Sequence, residues 1–416
     1  MSKPTLTVAF LLATRYIKRA NIWATLLVVA VMMITFLNLV MVTGILVGLI
    51  AGSENAYREQ YSGDILVDTY PGDRYIERSP FVISAIESVP GVRAVTPRFT
   101  SAGTIEANYQ RSVNQPNTEP DTAGGTFAGI DPDKENAATD IRSSIVEGEF
   151  LTSRDEGYVV VGGNLIARYL PGDFGFATVE DARPGDKIRV TVNGITREMI
   201  VKGIVKGKAD PVDSRVFFVD RELQGMLNRT DYNVGEIAVV IDEGADIDAV
   251  KERIVQAGVS QYARVRKSNE AIGTFLEDIK NTFGMLGNVI GATSLAVASI
   301  TVFIVIFITA ITRRKYIGIL KGIGITGLTI ELSYIMLSLF YAIIGVGIGL
   351  ALLYFVMVPY FAANPIDFPF SDGILVVTPI GTTIRVVLLF ITTIIAGYIP
   401  ARIVVSKNAL ESIRGN

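Results

Sequence analysis

The chain has 416 residues, of which 50% are hydrophobic and 19% are charged, and its formal net charge is −3. This charge argues against a nucleic-acid partner, which would require a concentrated basic surface. The sequence contains no cysteine and no histidine. Disulfides, thiol or imidazole catalysis and the usual zinc sites are therefore excluded.

Residues 1–20 are predicted to form a cytoplasmic amphipathic helix. Apolar side chains recur there at steps of three and four residues, at Leu6, Phe10, Ala13 and Ile17. Basic side chains occupy the other faces, which is typical of a helix lying along the inner membrane surface. The alternative is a cytoplasmic tail that is merely basic.

Four long apolar segments follow along the chain. No charged residue lies between Arg19 and Glu54, between Lys280 and Arg313, or between Glu331 and Asp367. Each gap exceeds the roughly 20 residues that a helix needs to cross hydrocarbon. The fourth segment is interrupted only by Arg385 and Arg402. The sequence therefore predicts transmembrane helices at 21–51, 284–312, 331–358 and 374–403, with a segment at 313–330, a loop at 359–373 and a tail at 404–416.

The distribution of basic residues predicts the orientation of these helices. Three basic clusters alternate with the spans: Lys3, Arg15, Lys18 and Arg19, then Arg313, Arg314, Lys315 and Lys321, then Arg402, Lys407 and Arg414. The loop on the other side has no Lys or Arg between Val358 and Ile384. The positive-inside rule then places both termini in the cytoplasm and residues 52–283 outside the cell membrane. A cleaved signal peptide is the alternative for the first span, but the apolar run is about twice as long as the apolar region of a signal peptide.

The large outer segment is predicted to be a mixed α/β domain. Strand-like runs occur at 64–68, 92–105, 158–161, 187–192, 201–205 and 236–241, and helix-like runs at 80–89 and 247–257. Asn193-Gly194 is typical of a hairpin turn. We therefore expect four transmembrane helices plus a split α/β layer that carries an inserted β-rich subdomain at about 109–216.

No catalytic or metal site is predicted in this domain. The acidic groups Asp131-Pro-Asp133 and Arg154-Asp-Glu156 lie in turn-rich sequence, where solvated loops are expected. The run Gly203-Ile-Val-Lys-Gly-Lys-Ala209 resembles a phosphate-binding loop, but its glycine spacing is one residue short. Ala209 also stands where Ser or Thr would bind magnesium. We therefore expect no cofactor on this chain, and ATP chemistry must come from another polypeptide.

Two cytoplasmic motifs carry a family resemblance. After the second span comes Arg313-Arg-Lys-Tyr-Ile-Gly-Ile-Leu-Lys-Gly-Ile-Gly-Ile-Thr326, and the chain ends with Ile399-Pro-Ala-Arg402 and Ala409-Leu-Glu-Ser-Ile-Arg414. These motifs resemble the two signatures of the FtsX-like permease family, the membrane subunits of ABC systems of the MacB and lipoprotein-releasing type. The sequence departs from them at Tyr316, where the family usually has glutamate, and at Ala409, which replaces a proline.

The resemblance implies a non-catalytic permease subunit of an ABC transporter, with ATP and Mg bound by a separate ABC ATPase. It also implies a second permease chain, identical or related, and contact with membrane lipids. An extracytoplasmic adaptor or cargo protein is a further partner that the resemblance allows. ATP-driven motion of the outer domain would export or extract lipoprotein, lipid, peptide or drug. The alternative is an FtsX-like signalling permease that regulates cell-wall hydrolases.

The segment after the second span is the predicted docking site for the ATPase. Its candidate residues are Arg313, Arg314, Lys315, Ile317, Gly318, Leu320, Lys321, Gly322 and Gly324. Ile317 and Leu320, together with Ile323 and Ile325, would form an apolar ridge, while the basic residues attract the partner and the glycines permit a sharp turn. A positive-inside loop without a partner is the alternative.

Spans one and two are predicted to continue outside the membrane as a stalk. Its candidate residues are Tyr57, Tyr61, Phe275, Ile279 and Phe283. Such a stalk would convert cytoplasmic motion into motion of the outer domain. Ordinary packed helix ends are the alternative. Within the spans, Asn38 and Asn288 are candidates for hydrogen bonds between helices. Arg385 is expected to extend outward to the aqueous boundary, and the alternative is a functional cation embedded in the membrane.

Overall fold

The computed structural model describes residues 3–110, 120–170, 177–368, 371–373 and 375–406. It divides the chain into two compact units. The membrane unit comprises Met1–Leu49, Glu277–Ile366 and Gly373–Asn416, and the outer unit comprises Ile50–Leu276 and Asp367–Asp372. The motif that begins at Ala409 lies outside the described residues.

The helices are numbered in chain order. They are α1 (Lys3–Lys18), α2 (Ile22–Tyr57), α3 (Ser79–Glu87), α4 (Pro132–Ala138), α5 (Asp210–Asp213), α6 (Asp220–Met226), α7 (Ile247–Gln256), α8 (Ser268–Ala271), α9 (Thr274–Thr312), α10 (Arg314–Gly322), α11 (Gly327–Leu352), α12 (Val358–Ala363) and α13 (Pro379–Val405). A π-helical turn, Arg58–Ser62, follows α2, and a second one, Leu353–Met357, joins α11 to α12.

The strands are likewise numbered in chain order. They are β1 (Ile65–Asp68), β2 (Val92–Glu106), β3 (Thr122–Ile130), β4 (Ile145–Gly148), β5 (Tyr158–Gly162), β6 (Lys187–Val192), β7 (Ile195–Val205), β8 (Arg215–Val219), β9 (Glu236–Ile241), β10 (Arg264–Lys267), β11 (Ile366–Phe368) and β12 (Ser371–Gly373).

Among the described residues, four helical segments are long and apolar enough to cross a membrane. They are Ile22–Ser62, Asn281–Thr312, Gly327–Ala363 and Pro379–Val405. The prediction of four membrane helices is therefore confirmed. The first segment continues past residue 51, where the span was predicted to end. Outside the hydrocarbon its residues need not be apolar, so the helix can include the charged residues found there.

The membrane helices pack closely where glycine replaces a larger residue. A Cβ atom on Gly345 of α11 would lie 2.5 Å from the Cβ of Met32, and one on Gly349 would lie 2.6 Å from Cδ1 of Phe36. Both glycines therefore allow α11 to approach α2. Asn38 of α2 accepts a hydrogen bond of 2.9 Å from the Ser294 hydroxyl of α9, as the sequence suggested.

Arg385 is held by main-chain carbonyls of the membrane unit. Its Nε donates to the Leu39 oxygen at 3.0 Å, and its Nη1 donates to the Gly381 oxygen at 2.6 Å. The guanidinium is thus bound between α2 and α13, rather than simply extending outward as expected. In a low-dielectric setting these hydrogen bonds compensate part of the cost of burying the charge.

Helix α1 packs against α11 through its small residues. Ala9 and Ala13 are buried, and Tyr16 stacks on Tyr334 with ring centroids 5.3 Å apart. Leu6 and Phe10 of the predicted apolar stripe remain exposed. The helix therefore has a packed side and a separate exposed apolar side, which suits a helix at a membrane surface.

The outer unit is built on a ten-stranded mixed sheet. The strand order is β10-β1-β9-β2-β3-β8-β5-β7-β4, and β6 pairs with both β2 and β7. The long strand β2 pairs with β9 through its first half and with β3 through its second half. The predicted inserted region and the two flanking strand-helix units therefore belong to one continuous sheet.

The predicted hairpin is confirmed. Strands β6 and β7 are antiparallel, with Val192 opposite Ile195. The two residues between them have left-handed backbones, with φ of 50° at Asn193 and 78° at Gly194. This is the geometry that a two-residue turn needs to match the twist of its strands.

Strand β3 was not predicted, because its glycines resemble a loop sequence. These glycines instead make room for neighbouring groups: a Cβ on Gly129 would lie 3.0 Å from the Cβ of Leu223, and one on Gly125 would lie 3.1 Å from the Ser214 carbonyl. On the partner strand, a Cβ on Gly103 would overlap the Phe127 ring. A glycine in a strand commonly marks such a close approach.

Both faces of the sheet are covered. Alternate residues of a strand point to opposite faces, so Ile65 and Val67 enter the larger apolar core while Leu66 enters a smaller one. Val216 and Phe217 of β8 divide in the same way. The smaller core contains Tyr57, the last residue of α2, and Tyr61, which follows the helix. The end of the first membrane helix therefore packs into this core.

Replacing Gly103 with valine tests the close packing of β2 on β3. Because the new side chain would overlap the Phe127 ring, we expect Gly103→Val to lower the free energy of unfolding by about 1–3 kcal/mol. Gly124→Val on β3 is the matched control, since no atom lies within 4 Å of its added Cβ. Thermal melts of the full chain in detergent give the comparison; equal melting temperatures for the two variants would contradict it.

Candidate functional site

The predicted docking segment forms helix α10 and a glycine-ended turn. Gly324 has φ of +93°, which favours glycine. Its amide donates to the Lys321 carbonyl at 3.0 Å, and the Ile325 amide donates to the Leu320 carbonyl at 3.0 Å. These bonds satisfy the last carbonyls of the helix. Gly318 is buried, whereas Gly322 is exposed.

The apolar ridge predicted on this segment is divided between two environments. Ile317 is only 1% exposed, and Leu320 and Ile325 pack partly into the core of the membrane unit. Of the four ridge residues only Ile323 is fully exposed, at 71%. Ile317 and Leu320 therefore face their own chain, which corrects the prediction that they face a partner.

Helix α10 nevertheless has an exposed apolar face. It consists of Tyr316 and Ile319 together with Ile323, the residue directly after the helix, and these are 65%, 54% and 71% exposed. These residues are spaced by three and four positions, as on one side of a helix. Lys315 is exposed beside them. Sequence periodicity could not choose between the two stripes, because both are apolar and lie on the same helix.

Two of the predicted basic residues fasten α10 at its ends. The Arg313 guanidinium lies 4.7 Å from the centroid of the Tyr16 ring, and its Nη2 donates to the Arg19 carbonyl at 3.3 Å. Lys321 Nζ donates to the Val405 carbonyl at the end of α13. Arg314 is half-buried. The helix is thus tied to α1 and α13.

The predicted stalk residues Tyr57 and Tyr61 are buried in the outer unit. Their rings meet edge to face, with centroids 5.0 Å apart. The Tyr57 hydroxyl donates to the Ala271 carbonyl at 3.2 Å. Phe283 is exposed, and the side chains of Phe275 and Ile279 lie outside the described residues. The two tyrosines therefore belong to an apolar core and do not form an exposed stalk face.

The turn that carries Tyr61 is bound on two further sides. Gln60 Oε1 accepts hydrogen bonds from the amides of Lys208 and Ala209, at 2.8 and 3.2 Å. Ser62 Oγ donates to Ser268 Oγ at 2.8 Å. The loop that resembles a phosphate-binding loop thus presents its amides to a glutamine side chain. A Cβ on Gly207 would overlap that glutamine, so glycine is needed there.

Tyr61 also lies in a buried network of charges that was not predicted from the sequence. We call it the ion network; it consists of Arg98, Glu135, Arg215, Glu236 and Tyr61. Arg98 Nε and Nη2 donate to the two Glu135 oxygens at 2.9 and 2.5 Å, and its Nη1 donates to Glu236 at 3.0 Å. Arg215 donates to both Glu236 oxygens, at 2.5 and 3.0 Å. The two positive and two negative side chains balance.

Tyr61 is the centre of this network. Its hydroxyl donates to Glu236 Oε2 at 2.6 Å and accepts from Arg215 Nη2 at 2.9 Å. Its carbonyl accepts from Arg98 Nη2 at 2.7 Å. The guanidinium carbons of Arg98 and Arg215 lie 5.1 and 4.7 Å from the ring centroid, within the range of cation–π attraction.

The electrostatics of the network follow from burial and pairing. Burial alone would raise the pKa of Glu236, but the charges and hydrogen bonds of Arg215, with those of Arg98 and Tyr61, lower it to about 2. Burial raises the pKa of the Tyr61 hydroxyl well above its usual range. At neutral pH, Glu236 is therefore ionised and Tyr61 is protonated.

Glu135 is positioned in the network by a short helix, which is capped at its N-terminus. Asp131 accepts hydrogen bonds from the amides of Asp133 and Lys134, at 3.0 and 3.4 Å, and so begins helix α4. Glu135 follows one turn later. The acidic group that was expected to be a solvated loop is thus a helix N-cap. Single charges at the start of apolar runs, such as Glu236 in β9 and Arg215 in β8, were the available sequence signal.

The network holds several elements of the outer unit together. Its polar atoms bond mainly to one another, and Thr96 and Thr139 donate to the Glu135 oxygens at 3.0 and 2.8 Å. Among the residues that the structure describes, no group of three or more acidic side chains could hold a metal ion. Strands β2, β8 and β9, helix α4 and the turn after α2 all meet at this point.

Comparison with known proteins gives matches over most of the chain. The model of the MacB-like periplasmic core domain matches residues 25–257, and that of the FtsX-like permease C-terminal domain matches residues 288–409. An uncharacterized ABC transporter permease of Methanocaldococcus jannaschii is 23% identical over 350 residues, which cover 80% of this chain and 78% of the relative.

Two solved structures are similar to the outer part of the chain. The periplasmic region of MacB from Actinobacillus actinomycetemcomitans is 15% identical, with a TM-score of 0.35, and covers 53% of this chain and 94% of that structure. The extracellular domain of the ABC-type transporter YknZ from Gram-positive bacteria is 15% identical, with a TM-score of 0.31, over 49% and 98%.

The first family model alone covers more than half of the sequence. The chain therefore belongs to the MacB- and FtsX-like family of ABC transporter permeases. This confirms the resemblance seen in its cytoplasmic motifs. Helices α10 and α11 fall within the match to the FtsX-like domain, and the ion network falls within the match to the MacB-like domain.

Removing one charge of the ion network should destabilise the outer unit strongly. Arg98→Met leaves Glu135 buried without its cation, and such a loss typically costs about 3–5 kcal/mol. Arg98→Met/Glu135→Gln removes both charges and should recover most of that stability. Arg58→Met, at the exposed pair with Asp64, is the control and should cost less than about 1 kcal/mol. Denaturant unfolding would contradict this account if the single and double variants were equally unstable.

The pH dependence of stability follows from Glu236. Its folded pKa of about 2 lies below the ordinary value of 4.5. Its stabilising contribution is therefore complete above pH 4.5 and is lost as the pH falls towards 2. In Glu236→Gln we expect lower stability at neutral pH and a smaller loss between these two pH values. Melting temperatures measured across this range would test it, and an unchanged acid sensitivity in the variant would rule it out.

Proposed function

We propose that this permease couples ATP hydrolysis by a separate ABC ATPase to motion of its outer unit. The observation that carries the proposal is the exposed apolar face of α10, formed by Tyr316, Ile319 and Ile323. The helix bearing this face is bound to α1 and α13 by Arg313 and Lys321. A partner that moves α10 would therefore also move membrane helices.

The chemistry of this face suits a protein partner on the cytoplasmic side. Solvent-exposed apolar side chains with neighbouring basic groups are typical of a docking helix, because the basic groups attract the partner and the apolar ones bind it. The basic clusters support a cytoplasmic position for both termini and α10, with the outer unit on the opposite side. ATP and Mg would bind in the partner.

The lengths of α2 and α9 support transmission across the membrane. The two helices contain 36 and 39 residues, so at 1.5 Å per residue they extend about 54 and 58 Å. The hydrocarbon core of a bilayer is about 30 Å thick. Neither helix contains a proline. Each is therefore long enough to carry a displacement beyond the bilayer.

The cargo would be handled outside the membrane or at its outer surface. The cargo to be exported or extracted would be a lipoprotein, a lipid, a peptide or a drug. The outer unit would handle it, since that unit is the part that would move. The described part of the chain supplies four candidate membrane helices, which favours assembly with a second permease chain, identical or related. No Asp or Glu lies between Arg19 and Glu54, between Lys280 and Arg313, between Glu331 and Asp367, or between Asp372 and Glu411, which argues against proton-coupled transport.

Charge substitutions on α10 test the proposed docking face. In Ile319→Asp/Ile323→Asp, an uncompensated charge would face an apolar groove of the ATPase, so we expect co-purification of the ATPase to be lost while the permease still inserts into the membrane. Val255→Asp replaces an exposed apolar residue of α7 in the outer unit and is the matched control. Normal co-purification of the α10 variant would exclude this face as the docking site.

The same complex distinguishes transport from signalling. If lipid or lipoprotein stimulates ATP turnover by the permease–ATPase complex, the transport function is supported. Stimulation only by a cell-wall hydrolase would support a signalling permease instead.

A further inference from the structure

We propose that the π-helical turn Arg58–Ser62 is a rigid joint that passes motion of helix α2 to the sheet of the outer unit, with Gln60 and Tyr61 as its positioning residues. The inference rests on the proposed coupling function and deepens it. It assigns the transmission of motion to a five-residue element. It also predicts that substitutions in this element can stop the transmission without unfolding the protein.

The first argument is the continuity of the helical path. Helix α2 ends at Tyr57 with helical backbone angles, φ −61° and ψ −42°, and the π-helical turn begins at the next residue. The helix therefore passes into the joint without an intervening loop. The chain reverses only after the joint, at Gly63, where φ is 62°. π-Helical turns are uncommon and often occur at functional positions.

The second argument is that neighbouring side chains of the joint bind different parts of the outer unit. Gln60 binds the loop after β7 through the amides of Lys208 and Ala209. Tyr61 binds the ion network and hence β2, β8 and β9. Ser62 binds Ser268 at the start of α8. A displacement of the joint must move these elements with it or break several buried hydrogen bonds.

The third argument is the type of interaction. Buried charges add little stability compared with well-packed apolar residues, so stability alone does not account for the ion network. Apolar surfaces can slide past one another, whereas hydrogen bonds to charged groups depend on distance and angle. The guanidinium groups of Arg98 and Arg215 contact the Tyr61 ring and bond its oxygen atoms. This arrangement resists rotation as well as translation of the ring.

The entry to the second membrane helix has a different construction. Between α8 and α9 lies Gly273, with φ of +81° and no neighbouring atom within 4 Å of an added Cβ. Glycine adopts this backbone conformation without strain, and the joint's network of side-chain bonds has no counterpart at Gly273, which carries no side chain. The first membrane helix therefore enters the outer unit through a fixed joint, and the second leaves it through a glycine link. We expect directed motion to be carried by α2.

The experiment measures hydrogen exchange in the full chain bound to the ATPase that co-purifies with it, in lipid nanodiscs, with and without ADP, vanadate and Mg²⁺. In the wild type, nucleotide should change exchange at α10 and also at the amides of β8 and β9. In Gln60→Ala/Tyr61→Phe, the change at α10 should remain and the change at β8 and β9 should be lost.

Two further variants make the test specific. Tyr70→Phe removes a tyrosine hydroxyl bond of the same unit, the 2.6 Å bond to the Ser260 carbonyl, without touching the joint, and should keep both responses. Arg98→Met/Glu135→Gln loosens the receiving side of the joint while keeping its net charge, and should lose the response at β8 and β9. Melting temperatures of all variants establish that the outer unit remains folded.

The outcomes separate the joint from the proposed function. A folded Gln60→Ala/Tyr61→Phe variant with a full response at β8 and β9 would overturn the joint and leave the coupling function intact. A wild-type response at α10 without one in the outer unit would overturn both the joint and transmission. If α10 itself did not respond in the wild type, the coupling function would fail, and the joint would fail with it.

Discussion

The ion network imposes a strict condition on the outer unit, because a buried charge without its partner is far more costly than any single contact is stabilising. Arg98 can be buried in β2 only if Glu135 is brought there by α4, and Glu236 can be buried in β9 only if Arg215 is present in β8. Four elements must therefore assemble together around Tyr61. The end of the first membrane helix is fixed by the same condition.

Polar groups in the membrane unit follow the same rule with fewer partners. Arg385 bonds to main-chain carbonyls, and Asn38 accepts from Ser294, so each polar side chain is compensated by a neighbouring helix. At Gly291 of α9 an added Cβ would lie 3.2 Å from Cδ2 of Leu39, so α9 packs closely on α2 near the Asn38 contact. The two units thus use different residues for one purpose, which is to leave few polar groups unpaired away from water.

Sequence reasoning succeeded where the signal is local. Charge-free length predicted the membrane helices, and Asn193-Gly194 predicted the hairpin, because hydrocarbon thickness and turn geometry depend on neighbouring residues. It failed where the cause is distant: Tyr61 and Glu236 are 175 positions apart, and the glycines of β3 are explained by residues of other elements. On α10 the spacing of apolar residues is compatible with two helix faces, and only tertiary packing shows that Ile317 is buried and Ile319 is exposed.

The two candidate coupling elements differ in a way that fits their proposed roles. The joint after α2 lies within one chain, so its charges are desolvated once, during folding, and directional bonds can then be permanent. The exposed face of α10 would meet a separate protein, and charges buried there would have to be desolvated at every association. Apolar side chains with basic neighbours suit that contact, because Tyr316, Ile319 and Ile323 can bind without leaving unpaired charges. Permanent ionic attachment at the joint and apolar attachment at α10 therefore fit the proposed coupling of this permease to a separate ATPase.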